Sequence, residues 1–327
     1  MKLRTDRPLA AYLVLVALIS GGFVVGMKVM GQRGNYLAGP YMLTPALAAF
    51  FTRWLFYTGK FRDARLSPGN WRNYYRFWGL TLVVVALSYV FFTVFGAITW
   101  DLSGESFLSQ MEEQMRVTGG SMGDLPEGMT PKMMLWLFFA GGLTIFNIPM
   151  TLAGFGEEFG WRGLMFPELC RRGAAAGRTE GSADRSGSQP GQVAMTSGSG
   201  ADSRLIGGFV IGGLIWFAWH LPLMLVMPSL QGFTAAHYAV NGVILAFGSI
   251  FTFIFFAWTY ARSGSIWVAS LVHAVFNNGA RSFSYFVRVE NQIDANAGLA
   301  MTMLLVVAYL YWRGEFRIFG EFLRKER

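Results

Sequence analysis

"LAAYLVLVALISGGFVVGMKVMG", residues 9–31, carries a single charge, Lys28, and no other ionisable side chain except Tyr12. A helix rises 1.5 Å per residue, so roughly 20 such residues cross a hydrocarbon core of ~30 Å. The basic segment "KLRTDR" precedes the run, as in a secretory signal, but the apolar stretch exceeds the ~7–15 residues of such signals. The run is therefore expected to stay in place as a membrane anchor.

Similar runs recur outward from this one. Hydrophobic residues make up 53% of the 327, aromatics 16% and charged residues only 14%. A water-facing domain usually carries about 25% charge, so the deficit points to an outer surface that meets lipid. Spans are expected at 9–31, 37–57, 77–99, 132–155, 205–227, 238–260, 264–283 and 297–312. Backbone polar groups in lipid must be paired within their own segment, which makes every span helical. The expected fold class is all-α: one multi-pass transmembrane helical bundle of about eight spans, forming a single membrane domain over 1–327.

The formal net charge of +8 does not call for nucleic acid. With the N-terminus inside, Lys60, Arg62, Arg65, Arg72 and Arg76 fall on the same side as the arginine-rich segment after 170 and the C-terminal tail. Lys28, Arg33, Arg116, Lys132, Arg281 and Arg288 fall opposite, an imbalance of roughly three to one that membrane orientation explains. The expected location is a bacterial plasma membrane with both termini cytoplasmic. The single cysteine, Cys170, excludes an internal disulfide and a zinc–thiolate cluster.

Two connections stand apart. Residues 101–131 form an acidic outer loop, with a short surface helix expected around "SFLSQMEEQMRV". Residues 173–203 are rich in Gly, Ser and Ala without an apolar period and read as a disordered cytoplasmic linker. Gly207, Gly208, Gly212 and Gly213 suit close helix approach, since no strand precedes them to form a phosphate loop.

Charge at membrane depth costs a few kcal/mol or more per group, so it marks functional candidates. Three clusters qualify: Glu157, Glu158 and Arg162 in "GEEFGWRG"; His220 in "WFAWHLPLM"; and His273 with Asn277 in "SLVHAVFNN". Glu158 and Arg162 are four apart on one helical face and suit an ion pair, whereas Glu157 is rotated by about 100° and free of that partner. His273 and Asn277, also four apart, direct two hydrogen-bonding groups to a common point and can stabilise an oxyanion. His220 precedes Pro222, which loosens its helix. Each cluster alone also reads as interhelical hydrogen bonding or a buried ion pair; three in separate spans favour one shared polar site. His237 reads as an interfacial residue in a short outer loop.

The motifs "EEFGWRG", "WFAWHLP" and "HAVFN", in this order and in separate apolar spans, resemble those of the CPBP family of intramembrane endopeptidases, which includes the CAAX prenyl proteases and the bacterial Abi group. Where that family often has Phe four residues before the middle histidine, Trp216 stands here. The resemblance implies a metal-independent protease with no cofactor. Glu157 would be the general base for a water held with His220, His273 and Asn277 the oxyanion pair, and Glu158 and Arg162 the supporting pair. A zinc-dependent variant would use Glu157, His220 and His273 as ligands. The implied partner is a membrane-associated peptide or protein. The rivals are a transporter or proton relay, which predicts inverted repeats, and a catalytically inactive membrane scaffold. Depth poses a condition: Glu157 meets His220 only if its helix runs on towards Cys170 or the next span begins later than residue 205.

Overall fold

The computed structural model describes residues 7–118, 128–171, 199–226 and 235–325. Almost all of it is helical. Helix α1 (Pro8–Met30) is followed by a 3-10 segment (Gly31–Leu37), a single turn (Ala38–Tyr41) and α2 (Thr44–Phe56). Then come α3 (Trp71–Val94), strand β1 (Ile98–Trp100) and α4 (Glu105–Thr118). Next are α5 (Pro131–Leu143) and α6 (Asn147–Gly160), the latter continued through a π turn (Trp161–Met165) to Arg171. The rest comprises α7 (Ser199–Val226), α8 (Ala235–Ser263), α9 (Ile266–Ser284), strand β2 (Val287–Val289), α10 (Gln292–Trp312) and α11 (Arg317–Lys325).

Caps punctuate the helices where the sequence offers them. The Asn70 side chain accepts from the Arg72 amide at the start of α3, Thr130 caps α5 ahead of Pro131, and Asn291 caps α10. Val14, Leu18, Val25 and Val29 along α1 are exposed. For a helix whose other face is buried, such an apolar outer face is the signature of a lipid contact. The chain is an integral membrane protein.

Five helices, α1, α3, α7, α8 and α10, are long and apolar enough to cross a membrane, or six if α5 and α6, bent by 46° at their break, form one span. The expected count of about eight is not reached on these criteria, for two physical reasons. The stretch 37–57 is interrupted around Pro40 and Pro45, leaving α2 with 13 residues, too short for a bilayer crossing. The stretch 264–283 forms α9, whose 19 residues include His273, Asn277, Asn278 and Arg281. It packs among α3, α5, α6 and α8, so its apolar positions serve the interior. An apolar run does not announce whether it will face lipid or protein.

The surface helix expected in the acidic loop is present as α4, with Phe107 in a small core with Met134, Leu135, Tyr285 and Phe286. Beside it, β1 and β2 pair antiparallel, Ile98 opposite Val289 and Trp100 opposite Val287, and so clamp the end of α3 to the end of α9. Of the expected linker, 172–198 lies outside the described residues, while 199–203 form the first turn of α7.

Close helix contact is bought by glycines on α6. A Cβ at Gly156 would lie 2.5 Å from the Met42 carbonyl oxygen, and one at Gly160, a turn later, 2.5 Å from Pro45 Cβ and 2.6 Å from Tyr12 Oη. Gly213 on α7 likewise admits the Ile250 backbone of α8, whereas Gly207 faces open space. Gly160→Ala is therefore expected to destabilise the protein by about 1–3 kcal/mol through overpacking. Gly207→Ala should leave the unfolding midpoint in detergent unchanged.

Candidate active site

Helix α6 runs without a break through Glu157 and Glu158 to Arg171, which meets the depth condition set by the sequence. The two carboxylates therefore sit in the middle of a rod and not at its cytoplasmic end. Glu158 and Arg162 are fully buried, and Glu157 and His273 are 2% and 3% exposed. Charges so far from solvent must be matched locally.

The matching is specific. Arg162 Nη1 donates to Glu158 Oε1 at 2.9 Å, and His273 Nδ1 approaches the same oxygen at 2.8 Å. That oxygen belongs to a carboxylate paired with a guanidinium, so Nδ1–H is the donor. The remaining Arg162 nitrogens, Nε and Nη2, have no hydrogen-bond acceptor. Instead the guanidinium lies 4.3 Å from the centroid of Phe253, 5.1 Å from Phe256 and 5.2 Å from Trp216. Three ring faces supply the negative quadrupole that stands in for acceptors.

Glu157 is held differently. Its Oε2 accepts from Trp216 Nε1 at 2.9 Å, and its Oε1 lies 3.7 Å from His273 Nε2. The unpaired carboxylate inferred from helical spacing thus faces the second nitrogen of the imidazole whose first nitrogen is bound to Glu158. His220, one turn after Trp216 on α7, places Nδ1 2.8 Å from the Trp216 carbonyl oxygen. A carbonyl only accepts, so this nitrogen donates, and in the neutral ring Nε2 is left as an acceptor. The His220 ring stands edge-on to Trp216 and Trp219 and is within the electrostatic reach of Glu157 and His273.

Six of the seven polar side chains and rings in these three motifs are thus gathered, from α6, α7 and α9, around one buried point. Asn277 is the exception in burial: one turn beyond His273 on α9, it is exposed, and no hydrogen bond engages it among the described residues. His237 is exposed near the start of α8. Among the described residues, no group of three or more His, Cys, Asp and Glu side chains is arranged to hold a metal ion, the set Glu157, His220 and His273 included.

The sequence reading passed over two supports. One surrounds Trp219: its indole N–H donates to Ser20 Oγ, its carbonyl accepts from Tyr41 Oη at 2.7 Å, and Tyr41 stacks on its ring. This fixes α7 beside His220, just before Pro222. The other is Arg53 on α2, which is 2% exposed, pairs with Asp63 at 2.7 Å and donates to the Gly163 carbonyl inside the π turn. A charge within the apolar stretch 37–57 was a legible signal for it. Tyr57 adds a hydrogen bond to the buried Glu168, which also pairs with Arg171.

No curated protein matches the chain. Residues 131–279 match the family described as type II CAAX prenyl endopeptidase Rce1-like. This segment holds α5, α6, α7, α8 and most of α9, and with them every side chain of the buried cluster. Over that segment, the chain belongs to the Rce1-like family of type II CAAX prenyl endopeptidases, which makes it a membrane protease.

Proposed function

We propose that the chain hydrolyses a peptide bond of a membrane-associated protein, of the CAAX type, with a water activated by Glu157 and without a metal or other cofactor. The observation that carries this reading is the buried juxtaposition of the Glu157 carboxylate and the His273 imidazole at 3.7 Å, with His220 in the same aromatic shell.

Water is held between Glu157 and the free Nε2 of His220. Glu157 takes one proton while the water oxygen bonds to the scissile carbonyl carbon. The carbonyl oxygen becomes an oxyanion, met by His273 Nε2–H and the Asn277 amide. Because Nδ1–H of His273 is committed to Glu158, the ring can donate from Nε2 only as imidazolium, and Glu158 is the counter-ion for that charge. Collapse of the tetrahedral species breaks the C–N bond, and Glu157 returns its proton to the leaving amine. Arg162 keeps Glu158 ionised and in place. The basic residues gathered on one side support an orientation with both termini cytoplasmic, in a bacterial plasma membrane.

The test uses the purified chain in lipid nanodiscs with a peptide ending in a prenylated CAAX sequence, its products read by mass spectrometry. Cleavage after the modified cysteine, undiminished by a zinc chelator, is expected. Loss of cleavage with chelator and its return with zinc would replace the carboxylate-activated water by a metal-bound one. Equal cleavage of the unprenylated peptide would remove the lipid from the substrate definition.

A further inference from the structure

One residue touches every member of the buried cluster. The Trp216 side chain is 8% exposed. Its indole N–H donates to Glu157 Oε2 at 2.9 Å, and its backbone carbonyl accepts from His220 Nδ1 at 2.8 Å. Its ring lies under the Arg162 guanidinium at 5.2 Å and stands perpendicular to His273, with centroids 6.3 Å apart. The backbone and ring contacts are available to any aromatic residue here. The donor is not: a phenylalanine would keep the ring and the carbonyl and lose the N–H.

A glutamate carboxylate turns freely about its last torsion, which has broad, two-fold wells. In a site where one oxygen must take a proton from water, that freedom spreads the acceptor over unproductive orientations. A single donor fixed by a buried indole removes it. With Oε2 bound to Trp216, Oε1 is the oxygen on the His273 side, 3.7 Å from Nε2.

We propose that Trp216 is a positioning residue for hydrolysis, whose indole N–H anchors one oxygen of Glu157 and so presents the other to the water. This rests on the reading of Glu157 as general base. The anchor lies outside the reacting atoms and acts only through Glu157. It separates the motif's aromatic residue into two parts, a ring that seats Arg162 and a donor that aims the base.

The experiment removes the donor without the ring. Trp216 is replaced by β-(3-benzothienyl)alanine, in which sulfur takes the place of the N–H, and separately by phenylalanine; both proteins are assayed in nanodiscs on the prenylated peptide. Loss of a hydrogen bond to a charged acceptor predicts a fall in kcat of about ten- to a hundredfold in both, with KM within about threefold. An isostere that keeps wild-type kcat overturns the proposal, because packing would then be all that Trp216 supplies.

A second readout does not depend on turnover. In protein labelled with 15N-tryptophan, the Trp216 indole resonance, identified by its absence in Trp216→Phe, should move upfield in Glu157→Leu; an unmoved resonance also overturns the anchor. Glu157→Gln separates this failure from that of the parent reading. If that variant keeps full activity, the general base falls, and the anchor with it. If it is inactive while the isostere is unimpaired, only the anchor falls.

Discussion

Glu157→Gln abolishes peptide hydrolysis to within detection while leaving the fold intact: this is the largest effect expected of any single substitution in the protein. Gln has the same length and volume, and its carbonyl oxygen can still accept from Trp216 Nε1, the contact made at 2.9 Å by the native carboxylate. It cannot take a proton from water. Loss of a positioned general base typically removes about 10²–10⁴ of rate, and here the same carboxyl group is also the only candidate to return that proton to the leaving amine. Since Glu157 is 2% exposed, neutralising it also removes a buried charge, so the unfolding midpoint should hold or rise. The comparison is initial cleavage rate against thermal unfolding for the same two preparations. A variant with a rate within about threefold of wild type would remove Glu157 from the mechanism.

The second large effect concerns stability. Arg162→Met leaves Glu158 ionised, fully buried, and matched only by His273, since Arg162 Nη1 supplies one of the two contacts to its Oε1 and its Oε2 has none. Breaking a buried pair from one side typically costs about 3–5 kcal/mol, because an uncompensated charge stays behind. Methionine fills the aromatic slot between Phe253, Phe256 and Trp216 with comparable volume, so the loss is electrostatic. The double variant Glu158→Gln with Arg162→Met should therefore recover most of it. Equilibrium unfolding in mixed micelles of the wild type, the two single variants and the double gives the coupling directly. Additive losses would mean that the pair is not what holds Arg162 in the core.

Why the site was legible and the bundle less so follows from what each signal encodes. A carboxylate, guanidinium or imidazole inside an apolar stretch is so costly that its presence alone implies partners, and Glu157, Glu158, Arg162, His220 and His273 were all found that way. The i, i+4 spacing also assigned Arg162 to Glu158 and left Glu157 over. The same reasoning applied to Arg53 would have exposed the second polar network with Asp63 and the Gly163 carbonyl. Hydrophobicity by itself is mute about which apolar surface a helix will meet. Helix α9 and the segment 37–57 were drawn as spans for that reason, though one is an interior helix and the other is cut short near its prolines. Spacing likewise placed Asn277 one turn from His273 without showing that its side chain is exposed. The Trp216 donor was hidden in a different way: the sequence shows an aromatic ring, and only its partner shows that the N–H matters. Among the glycines of α7, Gly208, Gly212 and Gly213 do admit close neighbours as expected, and Gly207 does not.

The π turn at Trp161–Met165, closed by the Phe166 amide on the Trp161 carbonyl, holds one residue more than a regular helix would use over the same arc. It works as a register joint. Upstream, the rod offers its carboxylates to α7 and α9; downstream, it offers Glu168 to Tyr57. Excising any one residue between 161 and 165 would restore ordinary winding and swing everything from Phe166 onward by about 100°, so a deletion there would act as a rotation of half a helix and disengage one network while sparing the other.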